Sequence, residues 1–237
     1  MRRSATQITD LVDEVERASL SRQERMDSDR RLLRLEPFNA NTDVEGRELG
    51  TEFRSFTSNE PRTFYQKIVS LLSEAKLLIQ VPYGMAEQQE RYRYDLAERF
   101  YYGLLDSVNE KFRNRVEPEM QDQLAGLVPI RGWGAVRVLL RNKPDGTSYP
   151  DIKVWDARNV HWQTNDEGLE WICYKSTRTA KAVRSEYPRA NLSNFNDEDT
   201  MDIYDFYDNQ HNTVIGDGVV LKAAIEHGSP RTPAMVI

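Results

Sequence analysis

The chain is short of cysteine, of histidine and of long apolar runs, and each shortage removes a class of function. Cys173 is the only cysteine, so no intrachain disulfide can form, which fits a reducing compartment. There is no CxxC pair, and His161, His211 and His227 stand far apart, outside any HxxxH or HExxH spacing. The ligand sets of zinc sites are therefore missing. No apolar run reaches the roughly 18 residues that a bilayer-spanning helix needs, so no membrane partner is expected. Arg2 and Arg3 are not followed by an apolar segment, which argues against a secretory signal. No Gly-x-Ser-x-Gly elbow or GxxxxGK[ST] loop occurs, and Gly132-Trp133-Gly134 lacks the third glycine of a dinucleotide fingerprint. No cofactor and no resident metal are expected from these patterns.

What is present is enough apolar material for a core. Of 237 residues, 39% are hydrophobic and 30% charged, which suits one large domain or two small ones. The net charge of -6 argues against global steering toward nucleic acid and leaves room for a local basic patch.

The first half reads as helical. Ile8, Leu11, Val12 and Val15 fall at helical spacing up to a break, and Ser21-Arg22-Gln23-Glu24 fits a capping box for a second helix ending near Leu35. Arg22, Arg25, Arg30, Arg31 and Arg34, interleaved with Glu24, Asp27 and Asp29, read as a solvated face. Pro37, Asn39, Asn41, Gly46 and Gly50 punctuate a long connector over residues 36–60. Thr57 to Pro61 opens a helix whose face carries Phe64, Ile68, Leu71, Leu72, Ala75 and Leu78, stopped by Pro82 and Gly84. A longer helix follows from about Ala86 to Val116, with a ladder of Leu96, Phe100, Leu104, Val108 and Phe112 and the i,i+4 pairs Glu87–Arg91 and Asp95–Arg99. Arg91-Tyr92-Arg93-Tyr94 reads as helix surface with half-buried tyrosines, and Pro118 opens a short helix ending near Gly126 to Pro129.

From Gly132 the period becomes that of strands. Val136, Val138 and Leu140 point one way, Arg137 and Arg141 the other. Lys143-Pro144-Asp145-Gly146 is a turn, followed by a strand at Ile152–Val154 and a second turn at Asp156 to Asn159. Asn165 to Gly168 turns again before a strand at Leu169–Tyr174, and Thr179 to Tyr187 is a short helix ended by Pro188. Residues 194–200 form an acidic loop, and Ile203–Tyr207 and Val219–Ile225 are two more strands. The expected class is α+β, with N-terminal helices and then an antiparallel sheet with one inserted short helix. The apolar end, Pro233 to Ile237, reads as the start of a strand, so the chain is expected to be the N-terminal part of a longer protein.

Two constellations resemble chemistry. Pro144-Asp145 followed by Asp151-Ile152-Lys153 is similar to the acid pair and acid-x-Lys of metal-dependent nucleases, which makes a nucleic-acid-processing enzyme using the Asp145/Asp151/Lys153 region the alternative reading. Two carboxylates that share one ion must lie within a few ångströms of it. Asp145 sits in the turn, and the six residues to Asp151 span about 20 Å if extended. The acidic stretch Asp197, Glu198, Asp199, Asp202, Asp205 and Asp208 has Met201 where a calcium loop needs its third acid, and no glycine follows. It reads as a solvated edge with Asp205 pointing outward. Trp133, Trp155, Trp162 and Trp171 all lie in the sheet region and are candidates for core or subunit packing.

One succession stands out. Residues Tyr149 to Trp162 combine a strand, a Trp155-Asp156-Ala157-Arg158-Asn159-Val160 turn and a second strand. Asp166-Glu167-Gly168-Leu169-Glu170-Trp171 and a helix ending Ser185-Glu186-Tyr187-Pro188 follow. This order resembles the wing of tailed-phage portal proteins, the head-to-tail connectors. The start at Phe56 to Pro61 with Val81-Pro82, and His227-Gly228 leading to Pro233, are similar too. The resemblance covers roughly residues 50–237. It implies a non-enzymatic structural subunit, with 1–60 as helical arm and linker, 61–130 as the helical part of the wing and 131–237 as its β-rich part, incomplete at the C-terminal end. It also implies a ring of identical subunits, typically a dodecamer, at one capsid vertex. The ring would meet capsid, terminase and head-tail adaptor proteins and pass double-stranded DNA. The place would be the virion, and the host cytoplasm during assembly.

Overall fold

A computed structural model of the chain describes residues 3–36, 58–81, 88–143 and 145–237. The punctuated connector, the stops at Pro82 and Gly84, the Glu87–Arg91 pair, Pro144 and the helix start at Phe56-Thr57 lie outside the described residues or depend on them.

The fold is mixed α+β. The helices α1 (Ala5–Ala18), α2 (Leu20–Leu33), α3 (Glu60–Glu74), α4 (Gln88–Asn114) and α5 (Met120–Arg131) precede the strands. The strands form two antiparallel sheets where one was expected. β1 (Ala135–Asn142), β2 (Ser148–Trp155) and β8 (Ala234–Val236) make a three-stranded sheet in the order β2-β1-β8. β3 (Val160–Asn165), β4 (Gly168–Thr179), β5 (Thr200–Asp208), β6 (His211–Gly216) and β7 (Val219–Glu226) make a five-stranded sheet in sequence order. The short helix α6 (Ala180–Glu186) joins β4 to β5.

The division falls at the Asp156–Asn159 turn. Asp156 Oδ1 accepts a hydrogen bond from the Arg158 amide at 3.0 Å and caps a single 3-10 turn, Ala157–Asn159. β2 pairs with β1 up to Trp155, whereas β3 pairs with β4 from Val160 onward. A turn that swings the chain from one sheet to another carries the same residue types as one that folds a strand back on its neighbour, so composition did not separate the two.

Alternate residues of β4 and β5 serve opposite faces, as the period of two requires. Trp171, Cys173, Tyr204 and Phe206 meet Ile8 and Val12 of α1. Ile172 and Tyr207 turn the other way and meet Ala135, Leu139 and Trp155 of the small sheet. The far side of the small sheet, through Val136 and Ile152, receives Val108 and Phe112 of α4. The order through the molecule is therefore α1, large sheet, small sheet, α4 with α5.

Local signals explain the helix ends. The capping box lies at Ser4, whose side chain bonds the Gln7 amide while Gln7 bonds back. It is not at Ser21, because α2 starts directly after Ser19, and Ser21 and Glu24 fall inside it. α5 runs past Pro129 to Arg131 and ends on Gly132 at φ 81°, a left-handed conformation that glycine adopts without a Cβ penalty. Arg131 fixes this last turn by donating to the Met26 carbonyl at 2.9 Å and to Asp156 Oδ2 at 2.9 Å.

The alternation in β1 is as read, with Val136, Val138 and Leu140 on one face and Arg137 and Arg141 on the other, but the face that carries the arginines is the one covered by the large sheet. Arg137 and Leu139 are buried between the sheets, while Val138 and Leu140 are exposed beyond the reach of α4. The apolar row is covered only at Val136. Asp205 is likewise no outward residue on an edge. β5 is flanked by β4 and β6, and Asp205 accepts from Asn212 Nδ2 at 2.8 Å on the face turned toward the small sheet.

His161 on β3 is fully buried. Burial pushes its pKa down to about 4 despite the nearby Glu16, with Lys175, Arg158 and Arg22 adding to the fall. Between about pH 6.5 and 4 the unfolded imidazole binds a proton that the folded one does not, so acidification favours unfolding. The expected loss of stability through this window is up to about 3 kcal/mol. Denaturation of the His161→Phe variant should show a flatter dependence over that window. An equal dependence in both proteins contradicts a neutral buried His161.

Candidate functional site

The four tryptophans occupy two different settings. Trp171 is sealed in the α1 face and stacks on Phe206, with ring centroids 5.5 Å apart. Its indole N–H donates to Gln163 Oε1 at 3.0 Å. Trp155 is 3% exposed and stacks on Tyr174 at 5.3 Å. Trp133 and Trp162 are half-buried and meet edge to face at 4.5 Å. The Arg22 guanidinium lies over both rings, 5.5 Å from Trp133 and 5.0 Å from Trp162. That contact, with Arg158 donating to Asp27 at 3.1 Å, ties α2 to the sheets. The mixed charges of α2 are therefore not a purely solvated face.

Asp145 stays within the β1–β2 turn. Its Oδ1 accepts from the Thr147 amide at 2.9 Å and the Thr147 hydroxyl at 2.6 Å, and these bonds hold its pKa below the usual value. Asp151 on β2 has different partners: Arg137 Nη2 at 2.6 Å and Arg141 Nε at 2.5 Å. Burial pushes the Asp151 carboxyl up, but these two guanidiniums outweigh burial and hold it below the ordinary carboxylate range. Among the described residues no three His, Cys, Asp or Glu side chains come together as a metal site.

Asp151 instead begins a polar chain between the two sheets. Arg137, 2% exposed, donates on its other side to the Tyr207 hydroxyl at 3.0 Å. Tyr207 donates to Asp205 at 3.4 Å, Asn212 donates to Asp205 at 2.8 Å, and Lys222 donates to Asn212 at 2.6 Å. Burial, with Asp205 beside it, raises the Tyr207 pKa, so the hydroxyl stays protonated. This chain spans β2, β1, β5, β6 and β7 and fixes how the sheets sit on one another. Buried polar groups of this kind must be mutually satisfied, because each orphan costs about 1–3 kcal/mol.

Beside the network opens a cleft of about 520 Å³ lined by Lys111, Arg115, Arg141, Lys143, Tyr149, Asp151 and Lys153. Tyr149, Asp151 and Lys153 alternate along β2, an edge of the small sheet. Arg141 and Lys143 come from the end of β1 and the turn after it, Lys111 from the last turn of α4 and Arg115 from the turn that follows that helix. Lys111 Nζ donates to the Pro150 carbonyl at 2.7 Å and lies 3.6 Å from the centre of the Tyr149 ring. Burial lowers the Lys111 pKa; Asp151 opposes that, while Lys143 and Arg115 reinforce it. Burial, then Arg137, lowers that of Lys153. Of the Asp145/Asp151/Lys153 set, the cleft thus gathers Asp151 and Lys153 and leaves Asp145 in its turn. Sequence reading missed Lys111 and Arg115 as neighbours of this strand. The density of cations at Arg141, Lys143 and Lys153 was the available signal.

No model of a known protein family matches the chain, and no curated protein matches it significantly.

Proposed function

We propose that the chain is a structural subunit of a portal ring at one vertex of a tailed-phage capsid, contributing the wing of that subunit. In this reading the ring forms the channel for packaging and ejecting double-stranded DNA. It is also the platform for capsid, terminase and head-tail adaptor proteins. It is found in the virion, and in the host cytoplasm during assembly. The chain performs no catalysis in this role.

The observation that carries the reading is an uncovered apolar surface on the helices. On α3 and the stretch after it, Phe64, Leu71, Leu77 and Leu78 are each more than half exposed. On the N-terminal half of α4, Tyr92, Leu96 and Phe100 are too. The two rows adjoin, because residues 79–81 are tied along α4: the Ile79 amide donates to the Tyr102 hydroxyl at 2.8 Å and the Val81 amide to Glu98 at 2.8 Å. The ladder read in α4 is continuous, yet only its C-terminal members, Val108 and Phe112, are buried. Contiguous exposed apolar patches of this kind mark protein contacts. A second copy of the chain is the occupant that the portal resemblance supplies, through head-to-tail contacts that close by rotation.

Charge placed on this row should weaken self-association without unfolding the protein. For Leu96→Asp with Phe100→Asp, sedimentation velocity should show loss of the weak, concentration-dependent association expected of the parent chain, with unchanged circular dichroism. Unaltered sedimentation in the double variant contradicts this surface as the subunit contact.

A further inference from the structure

The cleft beside β2 gathers five cations around a single carboxylate, in a chain whose net charge is -6. That carboxylate, Asp151, is already engaged by Arg137 and Arg141. Lys111, Arg115, Lys143 and Lys153 form no ion pair among the described residues. Like charges held this close repel one another, and Asp151, with Asp205 and Glu186 near Lys153, offsets that repulsion only in part. Two of the cations are also fixed in place. Lys111 is anchored to the Pro150 carbonyl and Arg141 to Asp151, so a ligand would not bear the entropy of ordering them.

We propose that this cleft binds a ligand through two or more neighbouring phosphate groups, independently of any base attached to them. The volume of about 520 Å³ lies within the range of small-ligand sites, and the spread of cations from α4 to β2 exceeds what one monovalent anion can use. Charge is the means of recognition, because the face of Tyr149, the aromatic residue of the cleft, is occupied by Lys111 and offers no platform for a base. The phosphates could belong to a free polyphosphate or nucleotide, or to a nucleic-acid backbone. Both present the same chemistry, and the site is independent of the ring assignment above.

The test uses isothermal titration calorimetry of the chain at low salt with four probes: tripolyphosphate, ATP, a short single-stranded oligonucleotide and a short poly-glutamate. Arg115 and Lys143 are exposed, so Arg115→Glu with Lys143→Glu should fold, which circular dichroism checks. Arg62→Glu, on α3 and outside the cleft, is the control. Binding of tripolyphosphate and ATP with similar affinity, lost by roughly tenfold or more in the double variant and unchanged in the control, supports a site for free polyphosphates. The same pattern with the oligonucleotide alone supports the cleft and assigns the phosphates to nucleic acid, and affinity then falls steeply with salt. Absence of binding to every phosphate probe overturns the proposal. So does binding that the double variant retains, or poly-glutamate binding as tight as that of tripolyphosphate.

Discussion

Replacing Arg137 by alanine should destabilise the protein by about 3–5 kcal/mol. Arg137 lies between the sheets at 2% exposure and holds Asp151 on one side and the Tyr207 hydroxyl on the other. Removing it leaves a half-buried carboxylate with Arg141 alone and strips a donor from the Tyr207 oxygen. The expense lies in the orphaned partners more than in the lost attraction, because desolvating a charge is costly when nothing replaces the water. Denaturant titration of Arg137→Ala measures the effect, and a change below about 1 kcal/mol contradicts the network. A second variant separates the causes. Arg137→Met with Asp151→Leu removes both charges and keeps volume, and it should recover much of the loss, since replacing both partners of such a pair is often neutral.

Trp155→Ala should cost about 3–5 kcal/mol as well, by a different route. Its ring ends β2, stacks on Tyr174 at 5.3 Å and lies 6.0 Å from the Tyr207 ring. It therefore fills space where the small sheet meets the large one, and truncation opens a cavity that two sheets held by backbone ladders cannot collapse to fill. Trp162→Ala, at a half-buried position with its face toward Arg22, should cost less. Equal denaturation midpoints for wild type and Trp155→Ala contradict the burial on which this rests.

The helices were legible wherever an apolar stripe met a covered surface. Ile8 and Val12 lie under the large sheet as their spacing requires, and Val108 and Phe112 close on Val136 and Ile152. Periodicity states which residues share a face, but not whether anything covers it. Leu96 and Phe100 continue the ladder of Val108 yet stay exposed, and Val138 and Leu140 do the same beyond Val136 in β1. The same gap hid Arg137: in a strand between two layers, a charged residue can be the buried one if a distant hydroxyl and a carboxylate await it. Tyr207 is 70 residues away, and no local pattern announces such a contact. The basic cleft was equally hidden, since Lys111 and Arg115 reach β2 only through the packing of α4. The Asp151 and Lys153 spacing was visible, but its neighbours were not, and the neighbours make Asp151 the partner of two arginines.

The assembly claim is tested most directly by negative-stain electron microscopy of the protein expressed from its complete reading frame, with light scattering coupled to size exclusion on the same sample. The account predicts closed rings of a single rotational symmetry, with a mass that is an integral multiple of the subunit. A protein that stays monomeric across concentration, with no rings on the grid, contradicts it.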